Sequence, residues 1–230
     1  MPAQIRWIME VTTKSFTECT LVYLEKNFGL RKVFQHPTLS SWLEASLSMQ
    51  IEASELGALQ IFQDLLRINV ESWNEQDLSL HFIGPIFGIA HFTEPYRYNL
   101  FAQYSIKGEV STVKGEPVLL FGKPDEMIAS GYREPESPFF CFQEYKRETD
   151  PNGDPIGQLL AAMLVGQSLN PPKQPMYGCY VIGRDWYFVS LLEKEYSISR
   201  DYSAITDDVY DILKILKGLK EIVRGFTQGA

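Results

Sequence analysis

The stretch that most constrains the fold runs from residue 137 to residue 192. A strand-like aromatic run, SPFFCFQE (Ser137 to Glu144), is followed by the turn-rich loop TDPNGDPIG and then by a helical segment, GQLLAAMLVGQSL, from about Ile156 to Leu169. Asn170 to Pro175 breaks that helix, and two further strand-like runs follow, Tyr177 to Ile182 and Trp186 to Leu192, joined by a Gly183-Arg184-Asp185 turn. A helix between two strands implies a crossover connection, which parallel neighbours need. Its small residues let it sit close against a sheet. The segment therefore predicts a mixed sheet with helices packed on it, an α/β (α+β) architecture, and argues against a barrel or a bundle.

Upstream, the pattern divides the chain in two. The first ~90 residues read as helical. Apolar residues recur at helical spacing in Phe16, Leu21, Leu24 and Phe28, and Gly29 suits a C-cap. A second helix is expected over Leu39 to Leu47, and a longer one over Glu52 to Val70 with Leu56, Leu59, Phe62, Leu65 and Leu66 on one face. Asn74 is the expected N-cap of a further helix with Leu78, Phe82, Ile83 and Ile86 buried, and Pro85 is expected to kink or end it. From Leu100 the character changes to short strands: Leu100 to Ile106, Val110 to Val113, Glu116 to Phe121 and Glu126 to Ala129, read as a meander, with Tyr132 to Pro138 as a loop. A closing amphipathic helix is expected over Thr206 to Val223. This organisation suggests a helical N-terminal extension, residues 1 to 73, and an α/β core, residues 74 to 230.

The charge balance narrows the function classes. A formal net charge of −8 repels phosphate backbones unless basic groups cluster or a metal neutralises the site, so a DNA coat protein is disfavoured. Cys19, Cys141 and Cys179 are far apart, odd in number and without a CxxC, which favours buried free thiols in a cytoplasmic setting over disulfides or zinc. No stretch offers the ~18 apolar residues of a membrane span, and MPAQIRWIMEVTTK lacks the features of a signal peptide. His36, His81 and His91 form no ligand pair.

The chemistry-bearing stretch is FGKPDEMIASGYREPESPFFCFQEYKRE. Asp125 opens one strand, and about twenty residues later another strand ends in Glu144-Tyr145-Lys146. Residues two apart on a strand share a face, so Glu144 and Lys146 project together. If the strand of Asp125 is their neighbour, its carboxylate reaches the same point. Two carboxylates on adjacent strands can hold magnesium with water and phosphate oxygens completing the shell. The ion acidifies water and offsets charge on the phosphate, and a lysine beside it can orient or deprotonate the water or stabilise the transition state. Lys123, Arg133 and Arg147 flank the site and could meet phosphates. Glu148, Asp150 and Asp154 read as a solvated acidic loop that would repel DNA if it faced the cleft. Tyr180, Trp186 and Tyr187 read as core and sheet-face residues.

Pro124-Asp125 and Glu144-Tyr145-Lys146 resemble the PD-(D/E)xK nuclease superfamily, which includes restriction endonucleases and repair nucleases. The resemblance covers about residues 74 to 192 and implies a restriction-endonuclease-like mixed sheet flanked by helices. It implies that Asp125 and Glu144 bind Mg2+ (Mn2+ being an alternative) together with the Tyr145 carbonyl, and that Lys146 assists catalysis. NEQDLSLHFIGPIF is similar to the first helix of type I restriction-subunit nuclease domains, which would make Glu75 a further metal-site acid. The helix after the ExK strand can carry a glutamine facing the site, a place Gln158 would take, with Lys123 and Arg147 as substrate contacts. The whole chain also resembles a bacterial family with a helical extension, a QEYK strand and a YGCYVIGRDW-like segment; that likeness implies a fold and no role.

The resulting expectation is a metal-dependent nuclease acting on DNA, with RNA second. The alternative is a catalytically silent nuclease-fold module serving as a protein-binding or regulatory subunit. A third option has the N-terminal helices mediating homo-oligomer formation or binding a partner protein.

Overall fold

The computed structural model of the chain describes residues 12–149 and 153–227. The first eleven residues of the segment examined for a signal peptide, and Asp150, lie outside them.

A large mixed sheet forms the middle layer. Its strands are β2 (Arg31–Lys32), β3 (Tyr98–Ala102), β6 (Glu126–Ser130), β7 (Glu136–Lys146), β8 (Met176–Ile182), β9 (Asp185–Leu192), β10 (Glu195–Ile198) and β11 (Tyr202–Ser203). The order is β2-β10-β9-β8-β7-β6-β3, with β11 also on β9. The β7–β8 pair is parallel, Cys141 opposite Tyr177 through Lys146 opposite Ile182. The connection between them is helix α6 (Pro155–Leu169), so the crossover anticipated above is present.

α6 is buried on every side from Gly157 to Gly166. One face packs on β7 and β8; the other packs on α1 (Leu21–Phe28) and on a small sheet of β1 (Thr12–Ser15), β5 (Pro117–Gly122) and β4 (Ile106–Ser111). Gly157 makes the close approach possible: a Cβ there would collide with the backbone of Cys19 and Thr20. On the opposite face of the large sheet lie α2 (Pro37–Ser46), α3 (Ala53–Asn69), α5 (Gly84–Ala90) and α7 (Asp208–Thr227). Apolar clusters fill both interlayer spaces, one containing Leu39, Leu66, Phe82, Trp186 and Leu216, the other Phe16, Phe28, Leu120, Phe142 and Leu160.

Several expectations are corrected. The first 73 residues are not all helical: the described chain begins with β1, which pairs in parallel with β5. The same region docks onto the C-terminal helix, Trp42 Nε1 donating to Ile215 O at 2.9 Å. In α3 the buried face is Leu59, Gln63 and Leu66, while Leu56 and Leu65 are exposed. The helix turns that way because the Gln63 amide donates to Ala204 O and Thr206 O at 2.9 and 2.7 Å, bonds an apolar face could not make.

Leu100 to Ile106 is two strands and not one. The chain turns at Gln103, which has φ +60°, and passes from the large sheet (β3) to the small one (β4). Nor do the middle strands form a meander: β4 pairs β5 in the small sheet, while β3 pairs β6 and β6 pairs β7 in the large one. Pro85 neither ends nor interrupts its helix. α4 (Glu75–Leu78) passes through a widened π turn, Ser79–Ile83, directly into α5. A proline cannot donate an amide to the preceding turn, and a widened turn is one way a helix absorbs that loss. No helix among the described residues is long and apolar enough to cross a membrane.

Candidate active site

The site lies where β6 begins and the antiparallel β7 ends. β6 and β7 are antiparallel, with Glu126 opposite Gln143; one step further along the register sets Asp125 opposite Glu144. The two acids that the sequence separates are therefore directly across from each other. Glu144 and Lys146 share a face of β7 and form a pair at 2.7 Å, both side chains about 9% exposed. Glu75, in the first turn of α4 behind its Asn74 cap, enters from outside the sheet and lies 3.9 Å from the Lys146 ammonium. Asp125, Glu144, Lys146 and Glu75 thus meet at one place.

Asp125 is held from both sides. Its Oδ2 accepts from the Tyr145 backbone N–H and its Oδ1 from Gln103 Nε2, each at 2.7 Å. The Gln103 turn itself is pinned, its N–H donating to Asp125 O at 3.0 Å. No local pattern pointed to Gln103: an exposed glutamine in a polar loop has no periodic signature, and its left-handed backbone appears only in the fold. Asp125, Tyr145, Gln103, Glu75, Gln76, Ser79 and Ala102 line a cleft of about 380 Å³.

Among the described residues the electrostatics are those of an acid-rich pocket facing the Lys146 ammonium. Burial pushes the Glu144 carboxyl up from 4.5 to about 7, and the Asp125 charge adds to this while Lys146 opposes it. Burial also raises Asp125, against the Tyr145 amide, Lys146 and Gln103, which favour its charged form. Burial alone would lower Lys146, but Glu144, Glu75 and Asp125 together raise it, so the ammonium is firmly charged. The pocket carries more potential negative charge than Lys146 balances, and its free donors are hard carboxylate oxygens. That donor chemistry fits a magnesium-type cation. No group of three or more His, Cys, Asp or Glu side chains among the described residues is placed to hold a metal ion.

The remaining candidates are placed as follows. Tyr145 is fully buried, and its visible contribution is the N–H on Asp125. Gln158 is buried in the first turn of α6 with its amide nitrogen close to Gly153, and no hydrogen bond among the described residues brings it to the acids. Lys123 is exposed and borders a separate pocket with Lys107, Leu119 and Phe121. Arg147 is half-buried just beyond β7. The acidic loop expected to be solvated is not: Glu148 accepts from Arg184 N and Nε at 3.0 and 2.8 Å, and Asp154 caps α6 through Gly157 N at 3.0 Å while taking Leu21 N at 2.7 Å. Both acids are spent on structure and do not line the cleft.

Sequence reasoning missed Glu126 as a distinct group. It is 7% exposed, and burial pushes its carboxyl from 4.5 to about 7, with the Tyr145 side chain opposing the shift and the Asp125 charge adding to it. Trp186 is in the core as expected, and Tyr180 and Tyr187 stack at 4.6 Å on the sheet. Cys19, Cys141 and Cys179 are free and buried. No protein-family model matches the chain, and no curated protein matches it.

Proposed function

We propose that the chain is a magnesium-dependent phosphodiesterase acting on nucleic acid, DNA before RNA, on a restriction-endonuclease-like core of the PD-(D/E)xK type. The observation that carries this is the meeting of Asp125, Glu144, Lys146 and Glu75 at one strand end beside an open cleft.

Asp125 and Glu144 would hold the cation, with Glu75 and the Tyr145 carbonyl as further oxygen donors. When bound, that cation supplies an acidified water and offsets charge on the phosphate. Gln103 and the Tyr145 N–H orient the Asp125 carboxylate and leave each oxygen a lone pair for a second partner. Lys146 remains protonated in this setting, so its role is to donate hydrogen bonds to the attacking water or to the phosphoryl oxygens; it is a poor general base here. The Lys146 ammonium lies 2.7 Å from Glu144 and favours its charged form, so a cation held by Glu144 would take over that compensation and leave the ammonium available to water or phosphate.

The test is cleavage of linear, circular and single-stranded DNA and of RNA in magnesium or manganese, beside Asp125→Ala. Cleavage by the unaltered chain alone supports the proposal and assigns the substrate. A folded chain that cleaves nothing, and whose melting temperature is unmoved by magnesium, overturns it. The Lys146–Glu144 pair would then be a closed structural bridge, as in a silent protein-binding module.

A further inference from the structure

Outside the acid cluster, the least explained surface is the rim of β3, an edge strand of the large sheet. Tyr96 is 86% exposed and Tyr132 59%, yet their rings stack on one another, centroids 5.4 Å apart and planes 23° from parallel. They come from separate loops. Tyr96 sits at the tip of a turn closed by hydrogen bonds between Glu94 and Tyr98 in both directions, and its backbone has φ +64°. Tyr132 lies in the loop between β6 and β7. A non-glycine residue in the left-handed region is strained. Here that strain holds a large aromatic out in water, where it contributes nothing to the core.

The rim leads to the cleft. From Tyr98, opposite Ser130, β3 runs to Ala102, opposite Glu126, a span of ~13 Å at ~3.3 Å per residue. Two residues past Ala102, Tyr104 packs edge-on against Phe101 and donates its hydroxyl to Arg133 O at 3.3 Å, so the exposed Arg133, which follows Tyr132, lies against the residue that follows Gln103.

We infer that Tyr96 and Tyr132 form a stacking platform for single-stranded nucleic acid, which passes Arg133 and Tyr104 on its way to the acids. The nature of the strand rests on the phosphodiesterase proposal; the platform rests on the rim. Bases of any sequence present a π face to such a pair, and Arg133 supplies a cation for the backbone. Glu134 and Glu136 also lie on this rim, so stacking rather than phosphate attraction must carry the affinity. An unwound strand exposes its bases for this and a duplex does not.

The experiment is fluorescence anisotropy with a labelled single-stranded oligodeoxynucleotide and its duplex, in EDTA to prevent cleavage, using the full chain. Replacing the pair together, Tyr96→Gly (which suits the positive φ) with Tyr132→Ala, is expected to weaken single-strand binding ~10–100-fold, whereas the Tyr96→Phe, Tyr132→Phe pair stays within ~3-fold. Unchanged affinity in the Gly/Ala variant, a duplex bound as tightly as the single strand, or no binding at all overturns the platform. The two proposals fail separately. Cleavage in magnesium without tyrosine-dependent binding removes the platform alone. Tyrosine-dependent binding without cleavage removes the phosphodiesterase alone.

Discussion

Asp125 and Glu126 are neighbours in sequence and opposites in circumstance. Asp125 borders a cleft, has a hydrogen bond on each oxygen, and faces a lysine and two further acids. Glu126 points into the other side of the sheet, against the buried Tyr145 side chain, where burial raises its carboxyl and the Tyr145 hydroxyl partly opposes that. Burial raises both acids, but at Asp125 the Tyr145 amide, Lys146 and Gln103 favour the charged form, whereas no cation among the described residues does so at Glu126. The pleat of a strand accomplishes this, since adjacent side chains leave on opposite faces. An acid is a candidate for metal work because of what its oxygens meet, and two adjacent acids in a motif are not interchangeable.

The sharpest break of that contrast is by substitution. On the proposed mechanism Asp125→Ala lowers magnesium-dependent cleavage at least ~10³-fold, because it removes a carboxylate proposed to hold the cation. Glu126→Gln, nearly isosteric with the neutral acid, should leave the rate within a few-fold. A reversed order in the same assay would assign the function to the wrong neighbour.

Lys146→Met should cost cleavage ~10²-fold or more and also reveal the pair's structural side. With its cation gone, the buried Glu144 carboxylate is uncompensated, so urea unfolding should show a loss on the order of 2 kcal/mol above pH 7 and a smaller one below pH 5, where Glu144 takes up a proton.

Glu126 makes its own prediction. Its carboxyl is raised in the folded state, from 4.5 to about 7, so the folded chain binds the proton more tightly than the unfolded one. The stabilisation is therefore fully present below about pH 4.5 and is lost as pH rises through about 7. Glu126→Gln should remove that fall and be the more stable protein at pH 8, by up to ~3 kcal/mol. Equal pH slopes in the two proteins would show that Glu126 is solvated and ionised in the native state.

The smallest expected effect is at Gln103. Gln103→Ala removes one of two bonds on Asp125 and should weaken magnesium binding ~10-fold, measured by calorimetry, with little change in melting temperature because the side chain is exposed.

These contrasts also explain what was legible beforehand. The crossover was readable because an uncharged helix between two strands has few ways to pack, and Asp125, Glu144 and Lys146 were readable because strand period and order alone bring them near each other. The fate of the middle strands was not. Whether Leu100 to Ile106 continues or turns depends on Gln103 accepting a left-handed backbone, and that is decided by the Asp125 carbonyl and carboxylate it reaches. Glu148 and Asp154 looked like solvated loop acids for the same reason. Their partners, Arg184 and the Leu21 amide, are remote in sequence, and local composition carries no record of them.

The pairing of β1 with β5 has a consequence for biosynthesis. Thr12 lies opposite Val118, about a hundred residues later in the chain. β1 leaves the ribosome well before β5, the strand it pairs with. α1, which packs on α6, must likewise wait for residue 155 and beyond. Closing such long loops is slow, because their entropy is lost before the contacts form. During synthesis β1 is a waiting edge, open to pairing with other chains until β5 arrives.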